Sequence, residues 1–214
     1  MSYEAVLTAI ATSAERAGRN PEDVTLVVVS KGRSLREISD LYELGHRDFG
    51  ENRAQEMAEK AAALPGDIRW HFVGTLQTNK VRLVRPITSL LHSLDRLPLA
   101  EAWVKGIGFP PPVLVQVNLA GETQKSGVSP DRVSILVEDV ENRGIVVAGL
   151  MTIPPVPDTP EASRPHFRRL REMVGELHST HPSLTHVSMG MTDDFEVAIE
   201  EGATLIRVGR AIFD

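Results

Sequence analysis

Lys31 is the residue with the most direct chemical potential. It follows the apolar run Leu26-Val27-Val28-Val29-Ser30. A lysine closing a buried strand must be paired, neutral, or both. Desolvation favours the neutral amine and makes a lysine a nucleophile for carbonyl groups. The competing reading is a lysine whose stem lies along the strand end while its ammonium reaches water. A second candidate is an anion site. Ser188-Met189-Gly190 ends one β-branched run and Arg207-Val208-Gly209 ends another. A serine hydroxyl and loop N–H groups there can hold a phosphate, and the glycines let backbone approach it closely. The same residues also read as turn glycines followed by an N-cap at Thr192 or Asp193. Arg207 is the third candidate. A cation inside an apolar strand needs a partner, either a structural salt bridge or a ligand. A lysine, a phosphate cradle and an inward arginine together fit a phosphorylated aldehyde.

These groups must be positioned by secondary structure, and the clearest signal is alternation. Short β-branched runs at 24–30, 47–50, 68–73, 87–94, 113–119, 146–151, 185–189 and 205–208 are separated by longer helical patterns. Helices are expected at 35–44, 53–63, near Lys80, at 100–104, at 131–142, ending near His178, and opening near Asp193. Residues 1–18 mix charges with alanines and lack an apolar signal-peptide core, so they read as a further N-terminal helix. Repeated βα units imply an α/β fold around a parallel sheet. Eight of them in 214 residues suggest a single (β/α)8 TIM barrel, with 1–214 as one domain. The alternative is an open doubly wound sheet, but no G-x-G-x-x-G follows the first run.

In a parallel barrel, functional groups sit at the C-terminal ends of strands. That places Lys31, Glu51-Asn52, His71, His92, Asp95, Met151, Ser188, Arg207 and Gly209 at one mouth. Asp193 and Asp194 also fall near it, where they suit a helix start. His178, His181 and His186 could suggest a metal site, but the first two lie on a helix end and its loop while the third lies on a strand. Neither a G-x-S-x-G elbow nor an H-E-x-x-H motif is present.

Composition narrows the class. The net charge of −6 argues against a nucleic-acid binder. Arg164, Arg168 and Arg171 fall at helical spacing and read as a solvated face. The absence of cysteine excludes disulfides and thiolate chemistry. No apolar run is long enough to span a bilayer, and the expected location is the cytoplasm.

Nine segments in order resemble the pyridoxal phosphate homeostasis proteins. They are Val28-Val29-Ser30-Lys31; Phe49-Gly50-Glu51-Asn52 with Gln55-Glu56; and Trp70-His71-Phe72-Val73-Gly74 with Leu76-Gln77 and Asn79-Lys80. His92-Ser93-Leu94-Asp95, Gln116-Val117-Asn118, Lys125-Ser126-Gly127 and Gly149-Leu150-Met151-Thr152-Ile153 follow. The last are Ser188-Met189-Gly190-Met191 with Asp193-Asp194-Phe195, and Arg207-Val208-Gly209 with Ala211-Ile212-Phe213. The resemblance implies a barrel like the N-terminal domain of alanine racemase, with pyridoxal 5′-phosphate (PLP) as a Schiff base on Lys31. It implies phosphate contacts from Ser188 and the backbone at Gly209, with Arg207 toward the pyridine nitrogen. Asn52 is expected near the ring, with Met151 and His186 as further contacts. Two departures stand out. Arg210 occupies a place where the family more often has a small hydroxyl residue, which removes one phosphate hydrogen bond or adds a cation. Gly32-Arg33-Ser34 replaces a segment that in the family often contains Pro.

An arginine facing the pyridine nitrogen weakens PLP as an electron sink, because arginine does not give up its proton. Racemisation also needs a base on each face of the substrate carbon. The only tyrosines are Tyr3 and Tyr42, both in expected helices. The expectation is a monomeric PLP-binding protein of vitamin B6 homeostasis, without strong catalytic activity, with PLP-dependent enzymes as possible recipients. The alternatives are an amino-acid racemase and a barrel that forms lysine imines without PLP.

Overall fold

The structure is a computed structural model that describes residues 1–122 and 126–213; Lys125 lies outside them. Eight parallel strands close into a barrel in sequence order. They are β1 (Thr25–Val29), β2 (Asp48–Glu51), β3 (Arg69–Phe72), β4 (Thr88–Leu94), β5 (Val113–Val117), β6 (Val147–Thr152), β7 (His186–Ser188) and β8 (Leu205–Val208). The outer helices are α1 (Tyr3–Arg16), α2 (Leu35–Glu43), α3 (Ala54–Ala63), α4 (Val81–Val84), α5 (Leu97–Val104), α6 (Val133–Glu141), α7 (Arg164–His178), α8 (Phe195–Glu200) and α9 (Arg210–Phe213).

All eight expected runs are strands, and the sheet closes through β1 and β8, with Val27 opposite Arg207. The open-sheet alternative is thereby removed. α9 was not anticipated: four residues are too few to show a helical period. The helix expected at 131–142 begins as a 3-10 turn, Pro130–Arg132, closed by Val133 N–H donating to Pro130 O.

Local chemistry sets the helix starts. Ser2 caps α1 by accepting from Ala5 N at 3.2 Å. Ser34 and Glu37 form a reciprocal capping box at α2. This fixes where α2 begins, four residues beyond Lys31.

The main apolar core lies between sheet and helices, with Phe49, Trp103, Phe167 and Phe195 at 2% exposure or less. Each such side chain contributes roughly 1.5–3 kcal/mol by leaving water. The barrel interior is different. Val27, Leu90, Leu114, Met151 and Leu205 form a small apolar plug. Buried among the strands are also Asp48, His71, His92, Gln116, Ser188 and Arg207. Alternation along β8 sends Leu205 and Arg207 to the same face.

Candidate functional site

Lys31 sits one residue beyond the end of the buried backbone, on a turn, and it is exposed. This corrects the expectation of a desolvated lysine: the strand buries Ser30 and releases the next side chain to the cleft. Its neighbours are held instead. Ser30 Oγ donates to Glu51 Oε1 at 2.7 Å, and Lys60 Nζ donates to Ser30 O at 2.7 Å. Gly32 N–H donates to Glu56 Oε1 at 2.5 Å. Lys60 also pairs with Glu51 and Glu56, each at 2.7 Å. A Glu–Lys–Glu cluster, buried at Glu51 and Lys60 and half-buried at Glu56, thus grips the backbone on both sides of Lys31.

The two carboxylates differ in charge preference. Burial raises the Glu51 carboxyl above its ordinary range against the pull of Lys60 and Ser30. One Glu51 oxygen, Oε2, has no hydrogen-bond partner. Glu56 is less buried, and Lys60 and the Gly32 N–H outweigh its desolvation and hold it low.

Lys31, Asn52, Thr192, Arg207, Gly209 and Arg210 line one cleft of about 630 Å³ at the C-terminal mouth. Asn52 Oδ1 is buried without a partner. Gly74 explains how Asn52 reaches its place: a Cβ at Gly74 would lie 2.6 Å from the Asn52 carbonyl oxygen. Gly209 serves the same purpose at the seam, where a Cβ would lie 2.8 Å from Val29 O. The ends of β1 and β8 therefore approach closely enough to share the cleft.

The loop after β7 is braced by Asp194, which accepts from Met191 N at 2.8 Å and from Ser163 Oγ at 2.7 Å. Arg210 pairs with Asp193 at 2.6 Å, and both are exposed. Arg207 is only 4% exposed. It donates to Ser188 Oγ and to Thr152 O, a hydroxyl and a carbonyl rather than a carboxylate. Burial pushes its pKa down to about 10, against the attraction of Asp194. It is still a cation at neutral pH.

The cleft thus brings together Lys31, Asn52, Arg207, Gly209 and Arg210. Three other expected contacts lie elsewhere. Met151 is fully buried in the apolar plug. His186 opens β7 at the opposite end of the strand, with Nδ1 3.4 Å from Thr204 Oγ1. Ser188 is fully buried, its oxygen shared between Arg207 and His92. His71 and His92 were expected at the mouth but bond each other inside the barrel at 2.9 Å. Thr192 lines the cleft although the sequence reading gave it only a capping role. Its position after the expected phosphate loop was the available signal. Gln55, Glu56, Leu76, Gln77 and Lys80 line an adjoining cleft that shares Asn52 with the first.

Residues 4–214 match the family model for the alanine racemase N-terminal domain, the class that this barrel and its mouth define. A pyridoxal phosphate homeostasis protein from Aquifex aeolicus is 44% identical over 97% of this chain and 94% of its own length. The chain belongs to the pyridoxal phosphate homeostasis protein family. Among solved structures, PipY of Synechococcus elongatus with PLP bound superposes with a TM-score of 0.81 at 33% identity, covering 96% of this chain and all, 100%, of that one. Alanine racemase of Corynebacterium glutamicum shares the fold, with a TM-score of 0.72 at 15% identity, over 95% of this chain and 60% of that one.

Proposed function

We propose that this chain binds PLP in the mouth cleft as a Schiff base on Lys31 and maintains the cofactor's balance rather than catalysing a reaction of its own. The observation that carries this reading is convergence. An exposed primary amine, a buried arginine and the loops after β7 and β8 line one cleft. Phosphates often bind at those two loops in this fold. The Lys31 amine would hold the aldehyde carbon as an imine, formed with loss of water. Thr192, Gly209 and Arg210 serve the phosphate, with Arg210 exchanging its Asp193 partner for the ligand. Asn52 offers its unpartnered oxygen beside the ring, and Arg207 serves the ring nitrogen. Ser188 acts through Arg207, while Met151 packs in the apolar plug and His186 stands at the far end of β7.

Bound PLP is an electron sink, most effective with its ring nitrogen protonated. Arg207 can only donate there, so it favours the unprotonated ring. Among the described residues, no tyrosine lines the cleft. Tyr3 bonds His46 and Tyr42 bonds Asp67, both on the outer helices. These features favour a carrier over a racemase. The setting we propose is a cytoplasmic monomer that buffers PLP and passes it to PLP-dependent enzymes. Among the described residues, no helix is long and apolar enough to cross a membrane. A nucleic-acid role is disfavoured because Arg164 and Arg168 are already bound to Glu161, Glu200 and Glu201.

The test is a visible spectrum of the protein with PLP, then borohydride reduction and peptide mapping. A phosphopyridoxyl group on Lys31 is expected. Folded protein with saturating PLP and no adduct at Lys31 would overturn the reading.

A further inference from the structure

A continuous hydrogen-bonded path crosses the barrel interior from the rim opposite the cleft. Arg69 Nε donates to Asp48 Oδ1 at 2.7 Å. Asp48 Oδ1 lies 3.1 Å from His71 Nε2, and His71 Nδ1 lies 2.9 Å from His92 Nε2. His92 Nδ1 lies 2.9 Å from Ser188 Oγ, which accepts from Arg207. Every inner member of the path is at most 9% exposed.

The ends of the path determine its proton positions. A carboxylate only accepts and a guanidinium only donates. His71 must therefore present Nε2–H to Asp48. If His71 is neutral, its Nδ1 accepts from His92 Nε2–H, His92 Nδ1 accepts the Ser188 hydroxyl proton, and Ser188 Oγ accepts from Arg207. Every donor then has an acceptor. If His71 carried both protons, His92 would have to donate from Nδ1 to Ser188. The serine proton would then have no acceptor among its two neighbours, a costly arrangement in a dry interior. Burial also disfavours the charged form of His92, as does the charge of Arg207.

We infer that Asp48, His71, His92 and Ser188 form a hydrogen-bond chain of single polarity that positions the Arg207 guanidinium for the PLP ring nitrogen. The inference rests on the PLP reading of the cleft. These four are positioning residues, and they tie the electronic setting of the ring to a carboxylate at the far rim. Ser188, expected to bind phosphate, is the last link.

The first test needs no PLP. Long-range 1H–15N spectra of the imidazoles in the full chain should show neutral Nε2–H tautomers at both His71 and His92. An Nδ1–H tautomer at either one overturns the inference, whatever PLP does. The second test uses Ser188→Ala and Asp48→Asn, both close to isosteric. Each should still form the Lys31 adduct but release PLP faster, about tenfold for Ser188→Ala, with a displaced visible band. A band and release rate equal to the parent's in folded Ser188→Ala also overturn it. Loss of the Lys31 adduct in the parent protein would instead overturn the PLP reading and leave the tautomer result standing.

Discussion

Lys60 was not singled out in the sequence, yet it is the cation that joins Glu51 and Glu56 to the backbone around Lys31. It is 7% exposed as a side chain, and Glu51 is fully buried. Removing one partner of such a pair leaves an uncompensated buried charge, which typically costs about 3–5 kcal/mol. Lys60→Met should lower the stability at pH 7 by that order, measured by urea unfolding. The deficit should shrink as the pH falls, because the Glu51 carboxyl already leans toward its protonated form. A deficit independent of pH would contradict the charge assignment. Arg210 makes a different point: its charge is balanced by Asp193, so it adds no free cation to the mouth until a ligand competes.

At the scale of elements, the site depends on how closely strand ends approach. The loop leaving β2 packs on the loop leaving β3 only because Gly74 has no side chain. Gly74→Ala must displace Asn52 or its own strand, at a cost of about 1–3 kcal/mol. It should also weaken PLP binding, since Asn52 lines both clefts. Gly66→Ala is the control, because a Cβ there meets nothing within 4 Å. Equal stability and equal PLP affinity in the two variants would sink this account of Gly74.

For the whole molecule, the unusual feature is a barrel whose interior carries ionisable groups. His46, His92 and His186 are held below their ordinary value of 6.5, chiefly by burial. Burial disfavours their protonation in the native state, whereas the unfolded chain binds protons at these positions more readily. Stability should therefore fall as the pH drops below 6.5, by up to about 1.4 kcal/mol per pH unit for each histidine. Asp48 adds a second phase. Burial opposes its ionisation, but His71 and Arg69 prevail and hold it well below the usual carboxylate range. Its contribution is present above the unfolded value of 3.8 and is lost as the pH falls toward the depressed folded one. Glu51 acts in the opposite direction, since its raised value lets the native state take up a proton first. Urea midpoints at pH 7.5, 6 and 5 in a Glu51→Gln background, which removes the opposing carboxyl, would test the histidine phase; a flat profile there would rule it out. On the outside, Arg164 and Arg168 lock α7 to Glu201 at the end of α8 rather than facing solvent as a bare basic stripe.

The order of eight strands, the lysine after the first, and the glycine-bearing ends of the seventh and eighth were legible in the sequence. Each of these signals is local: a β-branched run, a following turn, a residue type at a strand end. The family resemblance rested on the same short segments. What the sequence could not show was which strand-end residues reach the cleft and which turn into the barrel. His71, His92 and Ser188 lie on strands with neighbours at the mouth, and their sequence spacing does not distinguish rim from interior. That choice follows from closure of the sheet. Closure places Asp48, His71, His92, Ser188 and Arg207 on successive inward positions of β2, β3, β4, β7 and β8. It also carries Thr192 and Gly209 beside Lys31, from opposite ends of the chain, because β8 pairs with β1.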